Sequence, residues 1–284
     1  MSQPLRPTAD EAVAGWRALV DADAEQVPRV REDGPAADYY APIAARFRAG
    51  ARATPEVEVL RALALPTDTW LDIGAGGGRL ALPLAGLVRR VIAVDPSPAM
   101  RAQLQTATAE AGCDNIEVRD ARWPESAWSE TVDVAMAAHA VYDIAAIDAF
   151  LDAMERHATR MCVIALRPWA RGAALASLFE TIHGEPLHTL PAFNELVALL
   201  AARGRRYEVR TVPADAEPPV VPRDQAILEA RRLLWLTEGS PKDQRMCALL
   251  DEWWGRPDGI ALPRAPGYVG VVSWTPRPDG AWDW

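Results

Sequence analysis

Lysine is almost missing from this chain: Lys242 is the only one, although lysine and arginine together number 30. Set against 39 acidic residues, that leaves a formal net charge of −9. An acidic chain lacks the electrostatic footprint that a phosphate backbone demands. The densest basic run, Arg203-Gly204-Arg205-Arg206, reads as a solvated helix end, so nucleic acid is set aside as a partner. Cysteine is scarce too. Cys113, Cys162 and Cys247 are far apart and form no CxxC, which excludes a disulfide framework and a zinc site and suits a reducing compartment. The four histidines, His139, His157, His183 and His188, are unclustered, and no metal site is expected. No apolar run approaches the ~20 residues that span a bilayer. Residues 1–30 are rich in acids and have no apolar h-region. The expectation is a cytoplasmic protein with no membrane partner; its oligomeric state is not written in the sequence.

What is present is a large α/β pattern. Half of the 284 residues are hydrophobic, enough to bury a sizeable core. Residues 8–26 read as a helix capped by Thr8 or Asp10, with Ala12, Trp16, Leu19 and Val20 on one face. A loop with Pro28, Gly34 and Pro35 leads to a second helical stretch at 38–47, and 55–64 adds a short helix. From Trp70 onward strands and helices alternate, which argues for βαβ units and a parallel sheet. Strands are expected at 90–95, 116–120, 132–137, 161–166, 207–212 and 267–274. Ser97, Pro98 and Gly112 punctuate one helix as cap, first turn and stop. Further helices are expected at 147–154, 172–183 and 193–200. Two more, at 224–238 and from Ser240-Pro241 to Trp253, fill a long excursion before the last strand.

The chain is organised around Thr69-Trp70-Leu71-Asp72-Ile73-Gly74-Ala75-Gly76-Gly77-Gly78-Arg79. An apolar run carrying an acid and ending in glycines reads as a buried strand breaking into a tight turn. Leu80, Leu84 and Leu87 follow at helical spacing, with Pro83 as a misfit unless it stands in the first turn. The N-terminus of that helix would offer N–H groups to an anionic ligand. In open α/β sheets, ligands bind beyond the carboxyl ends of the strands, where this loop lies. A dinucleotide fingerprint wants glycine at the first, third and sixth positions. Counted from Gly74, the sixth position here is Arg79, and the glycines fall at one, three and five.

That acid-x-Gly-x-Gly-x-Gly pattern resembles the first motif of the class I S-adenosylmethionine-dependent methyltransferases. Further acids at strand ends match the family: Asp95 closes the second strand, where the resemblance implies hydrogen bonds to both ribose hydroxyls, and Asp120 closes the third, facing the adenine amino group with the Ala121 N–H on the ring. Alone, Asp95 also reads as a turn residue before Pro96, Asp120 as a surface aspartate, and Met100 as plain core instead of a side chain on the adenine face. The resemblance covers residues 69–166. It implies a Rossmann-like, doubly wound, seven-stranded sheet with an antiparallel last strand, preceded by an N-terminal helical cap (1–55). The methyltransferase domain would span 56–284, with a helical insertion at about 214–262. S-adenosylmethionine is the implied cofactor, with Asp72 on its amino group and the loop at Gly74, Ala75 and Gly76 on its carboxylate. Tyr40, Pro96, Met100 and Ala138 complete the expected cofactor site.

The segment after the fourth strand, which sorts these enzymes by acceptor, reads Ala137-Ala138-His139-Ala140-Val141-Tyr142-Asp143. It has no Pro-Pro-aromatic motif of base amino-group methylases. None of the cysteines follows proline as in cytosine C5 enzymes, and Asp143 alone cannot hold a catechol-type metal. A small-molecule acceptor is the expectation. His139 and Tyr142 stand where the transferred methyl would point, and a histidine there suits a general base; a histidine hydrogen-bonded within its loop is the alternative. Two other functions stay open: a module that holds the cofactor without transferring methyl, and a nicotinamide-dependent oxidoreductase, disfavoured by Arg79. The aromatics outside the core, Tyr39, Tyr40, Trp169, His183, Trp235, Trp253 and Trp254, are expected to fold over the strand ends as a lid.

Overall fold

The computed structural model describes residues 7–276 except 33, 35–36, 51–53, 126, 171, 214–219 and 264–266. Trp282 and Trp284 lie outside the described residues. Nine α-helices and nine strands are formed among the described residues. Seven strands make one sheet: β1 (Thr69–Ile73), β2 (Arg90–Val94), β3 (Ile116–Arg119), β4 (Val132–Ala138), β5 (Ala158–Leu166), β6 (Tyr207–Pro213) and β9 (Tyr268–Trp274). Their order is β3-β2-β1-β4-β5-β9-β6. The first five are parallel, and β9 runs antiparallel between β5 and β6. The sheet is Rossmann-like and doubly wound, as the sequence predicts. Its order reverses between β1 and β4, which places the switch point, and the ligand crevice of such sheets, beside the glycine loop.

Burial explains the order. β1 is buried at every position and β5 at its last six, as strands covered on both faces must be. One face packs on α1 (Ala9–Val30), α5 (Ile147–His157) and α7 (Phe193–Ala202); the other on α2 (Glu56–Leu63), α3 (Ala81–Ala85) and α4 (Pro98–Ala111). Trp16 of α1 is deep in the first of these cores and donates its indole N–H to the Ile144 carbonyl at 2.9 Å. The helix punctuation holds: the Ser97 hydroxyl accepts the Met100 N–H at 3.1 Å, and Gly112 ends α4 with φ of 63°. Thr8, not Asp10, caps α1, in a reciprocal pair with Glu11.

Where elements depart from expectation, tertiary contacts decide. α1 runs on to Val30 through Pro28, because Gln26 and Val30 are buried against the chain beyond β5. The stretch at 38–47 is a 3-10 helix, Ala41–Phe47. It is pinned by Asp38 on α4 and by Arg48 opposite Gly78. Seven residues reach about 14 Å in that form, against about 10 Å as an α-helix. Pro83 falls in the first turn of α3, so the misfit disappears. α6 (Ala176–His183) starts late, after a short 3-10 turn at Ala173–Leu175, and α8 (Arg223–Leu233) ends early, before Trp235 at φ of 53°. A hairpin of β7 (Gly255–Arg256) and β8 (Gly259–Ile260) follows α9 (Pro241–Trp254), turned by Pro257-Asp258-Gly259.

The segments outside the sandwich share one cluster. Val30, Leu178, Phe179, Leu234, Met246 and Leu250 bring the end of α1 together with α6, α8 and α9. β6 is antiparallel to β9, and Pro213 pairs with Tyr268. The excursion from 214 to 267 therefore leaves and rejoins the sheet at the edge where β1, β4 and β5 end.

Candidate functional site

Asp72 is the buried acid of β1, about 2 % exposed, and its Oδ2 has no hydrogen-bond partner. Burial first, and then the neighbouring Asp95 charge, push its pKa up to about 7; Arg79 opposes them. A buried carboxyl with an open oxygen is costly unless something cationic completes it. The loop beyond it is tied to β2. The N–H groups of Gly74 and Ala75 both donate to the Val94 carbonyl, at 2.8 and 3.1 Å. A Cβ on Gly74, whose φ is 73°, would lie 2.5 Å from the Ala140 Cβ. Gly76 has φ of 55° and donates its N–H to Asp95 Oδ2 at 2.8 Å. The helix behind this loop, α3, has five residues, so the anion-attracting helix end expected there has little dipole behind it.

Asp95 is buried and uses both oxygens as a clamp, Oδ2 on Gly76 and Oδ1 on the Ser97 N–H at 2.8 Å. Burial raises its pKa, opposed by those two N–H bonds. Each oxygen keeps a second lone pair for a further donor. Pro96 follows in the turn, and Met100 is buried with its Sδ 3.8 Å from where a Gly76 Cβ would stand. Ala121 is buried at the end of β3, whereas the Asp120 side chain is about 70 % exposed and paired with Arg101 at 2.8 Å. Arg101 also donates to the Asp95 carbonyl, so it links the second and third strand ends.

The segment before α2 lies across the loop. A Cβ on Gly77 would stand 2.9 Å from the Phe47 carbonyl. Asp38 accepts from the Ser97 hydroxyl and the Ala99 N–H, at 2.8 and 3.1 Å, and so docks the segment on α4. Tyr40 stands edge-on to Tyr39 and Phe47 and is exposed on its outer side. Farther out, Arg46 pairs with Glu229 at 3.0 Å and Tyr39 bonds Arg232. The α8 helix is thus joined to the segment that covers the glycines.

Ala138 ends β4, and His139 follows at φ of 56°, a left-handed conformation that histidine tolerates better than most residues. Its two ring nitrogens meet Glu56 Oε1 at 3.1 Å and the Tyr142 hydroxyl at 3.2 Å. Arg79 Nη1 is 3.3 Å from the same Glu56 oxygen. Burial pushes the Glu56 carboxyl up, but the His139 hydrogen bond and the His139 and Arg79 charges outweigh it and hold it below its ordinary range. Burial pulls His139 down, only partly offset by Glu56. Glu56, Asp38, Phe47 and Arg101 were not anticipated. Only Glu56 left a signal: it shares the helical face of Leu60 and Leu63 and so stands on the apolar side of α2.

No group of three or more His, Cys, Asp or Glu among the described residues is placed to hold a metal ion. A cleft of about 500 Å³ near Asp10, Arg17, Asp148 and Arg203 is lined by none of the site residues. The strand-end residues fit S-adenosylmethionine: an ammonium at Asp72 would complete its open oxygen, and Asp95 has lone pairs for ribose hydroxyls.

A family model described as a methyltransferase domain matches residues 71–160, from β1 into β5. No curated protein matches the sequence. Among solved structures, YjhP from E. coli superposes with a TM-score of 0.56 at 16% identity, over 84% of this chain and 99% of that one. YcgJ from Bacillus subtilis gives 0.52 at 13%, over 78% and 99%. Magnesium protoporphyrin IX methyltransferase from Synechocystis, solved with bound SAH, gives 0.47 at 15%, over 72% and 94%. The first two likenesses show the fold, and the family match marks residues 71–160 as similar to a methyltransferase domain.

Proposed function

We propose that the chain, whose residues 71–160 match a methyltransferase-domain model, is a class I S-adenosylmethionine-dependent methyltransferase that methylates a small-molecule acceptor by in-line displacement. The observation that carries the reading is the buried, unpaired Oδ2 of Asp72 beside a glycine loop at the switch point. The cofactor supplies an already activated methyl group. The chain's part is then to hold donor and acceptor in line, and positioning of this kind is worth on the order of 7–11 kcal/mol. Asp72, Asp95, Met100, Asp120 and Ala121 would hold the cofactor; Gly74, Ala75 and Gly76 shape its cradle; Tyr40, Pro96 and Ala138 border it. His139 and Tyr142 face the acceptor side.

The cluster of α6, α8 and α9 serves as a lid in this reading. The supporting facts are the topology of the excursion and the Arg46–Glu229 and Tyr39–Arg232 links to the segment over the loop. Trp169, exposed just after β5, would offer the acceptor an apolar face. The net charge of −9 speaks against nucleic acid as acceptor, and no helix among the described residues is long and apolar enough to cross a membrane. A cytoplasmic location fits both.

Calorimetry with S-adenosylmethionine and with NAD tests the reading. Binding of the first and not the second is expected, and the reverse would establish the oxidoreductase alternative. Transfer of labelled methyl to an acceptor distinguishes an enzyme from a module that only holds the cofactor.

A further inference from the structure

The polar chain at the end of β4 has a direction built into it. A carboxylate only accepts, so His139 Nε2 must donate to Glu56 Oε1 across their 3.1 Å. A neutral imidazole protonated at Nε2 has its lone pair at Nδ1, so the Tyr142 hydroxyl, 3.2 Å away, must donate to it. The Tyr142 oxygen in turn accepts the Arg167 N–H at 3.0 Å. While His139 is neutral, every hydrogen bond in the series therefore has one allowed sense. Glu56 is nearly fully buried, and Arg79 lies against the same oxygen. His139 also holds a left-handed backbone, φ of 56°, a conformation that clusters at functional sites.

We propose that Glu56, His139 and Tyr142 form a one-way proton relay, in which Glu56 is a positioning residue that fixes the His139 tautomer and the Tyr142 oxygen receives the proton of a hydroxyl or amine acceptor. This rests on the methyl-transfer reading above. The acceptor's O–H or N–H bond breaks and its proton passes to the Tyr142 oxygen, while the Tyr142 proton passes to His139 Nδ1. The freed acceptor lone pair bonds the methyl carbon, and the electrons of the methyl–sulfur bond stay with sulfur. One positive charge leaves the sulfonium and one appears on the imidazolium, held by Glu56 until solvent takes the proton. Thiolate and carboxylate acceptors need no such relay, because they arrive ionised.

The first readout needs no turnover. Nitrogen-15 correlation spectra of the four histidines at pH 7, with S-adenosylhomocysteine bound, should show His139 neutral and protonated at Nε2. Glu56→Gln should lower the His139 pKa, because the imidazolium loses its anion. Tyr142→Phe should raise it, because a hydrogen bond to the neutral ring is gone. The second readout is methyl transfer from labelled S-adenosylmethionine to a panel of phenols, alcohols, amines and thiols. Glu56→Gln should cut kcat on protic acceptors by about 100-fold or more, move the pH profile, and leave cofactor affinity within about threefold. Glu56→Asp should restore part of the rate, and thiols assayed above their own pKa, where they arrive as thiolates, should be unaffected. If Glu56→Gln does not fold, Tyr142→Phe carries the same rate test. A cofactor-bound wild type whose His139 is protonated at Nδ1, or a Glu56→Gln enzyme as fast as wild type on phenols, overturns the relay alone. A wild type that binds no cofactor overturns the methyl-transfer reading and the relay with it.

Discussion

The ends of β1 and β4 lie side by side at the switch point, yet they are built in opposite ways. After β1 the site is mostly backbone: Gly74, Ala75 and Gly76 spend their N–H groups on β2 and Asp95, and the feature left open is one oxygen of Asp72. After β4 the site is made of side chains: Tyr142 bonds His139, His139 bonds Glu56 from α2, and Glu56 also takes Arg79 from the far end of the glycine stretch. The two ends also meet closely where Gly74 faces Ala140 with no room for a methyl group.

That contact is where the comparison breaks most easily. Gly74→Ala would need a left-handed alanine and a 2.5 Å Cβ contact with a residue whose own Cβ is fixed to the backbone. The cost is roughly 2–5 kcal/mol, about 5–15 °C in Tm for a chain of this size. Cofactor binding and the His139 environment should be lost together. Calorimetry and histidine spectra on the same sample check whether both ends fail at once.

Asp72→Asn separates stability from binding. Burial holds the Asp72 pKa near 7, above its unfolded value of 3.8. A raised acid contributes stability that is complete below about pH 4 and is lost as pH rises through about 7. The asparagine variant should therefore match wild type at low pH and melt higher than wild type at pH 8. Cofactor affinity should go the other way. An ammonium on Asp72 favours the ionised form, so wild-type binding should release a proton below pH 7 and tighten as pH rises. In Asp72→Asn the affinity should fall by about 10- to 100-fold and lose that pH dependence, as calorimetry in two buffers of different ionisation enthalpy will show.

What the sequence made legible follows the same division. The central strands showed as apolar runs, because a buried parallel strand has little choice of composition, and Asp95 and Asp120 marked the ends of the second and third. Asp72, Gly74 and Asp95 stand within one βαβ unit, and so chain order alone put them together. Glu56 is 83 residues from His139, and Asp38 is 59 from Ser97. Nothing local says that such pairs meet; only the packed helices decide it. The 3-10 form at Ala41–Phe47 was illegible for the same reason, being set by its anchors at both ends.

Asp95→Ala tests the one side chain that serves the backbone end. It removes charge-assisted bonds worth roughly 1.5–3 kcal/mol each from Gly76 and Ser97, along with any ribose contact. Cofactor affinity should drop tenfold or more. Asp95→Asn keeps an acceptor for one of the two N–H groups and should lose less. Equal affinity in wild type and Asp95→Ala would remove the ribose role.

The smallest effect is expected at Asp120. Its side chain is mostly in water, and its partner Arg101 is anchored independently on the Asp95 carbonyl. Exposed ion pairs contribute about 0–1 kcal/mol, so Asp120→Ala should leave Tm within a degree or two. A hydrogen bond that the adenine amino group donates to this carboxylate is weakened by the water around it to roughly the ordinary net value of 0.5–1.5 kcal/mol, which gives a two- to tenfold loss of affinity for S-adenosylhomocysteine. The amino group itself provides the control. A cofactor analogue lacking it should bind Asp120→Ala and wild type equally, because the contact is missing in both. If the variant weakens both ligands alike, Asp120 acts only through Arg101 and the shape of the strand end. The third acid would then belong with the scaffold, and the cofactor's base would be held by Met100 and Ala121 alone.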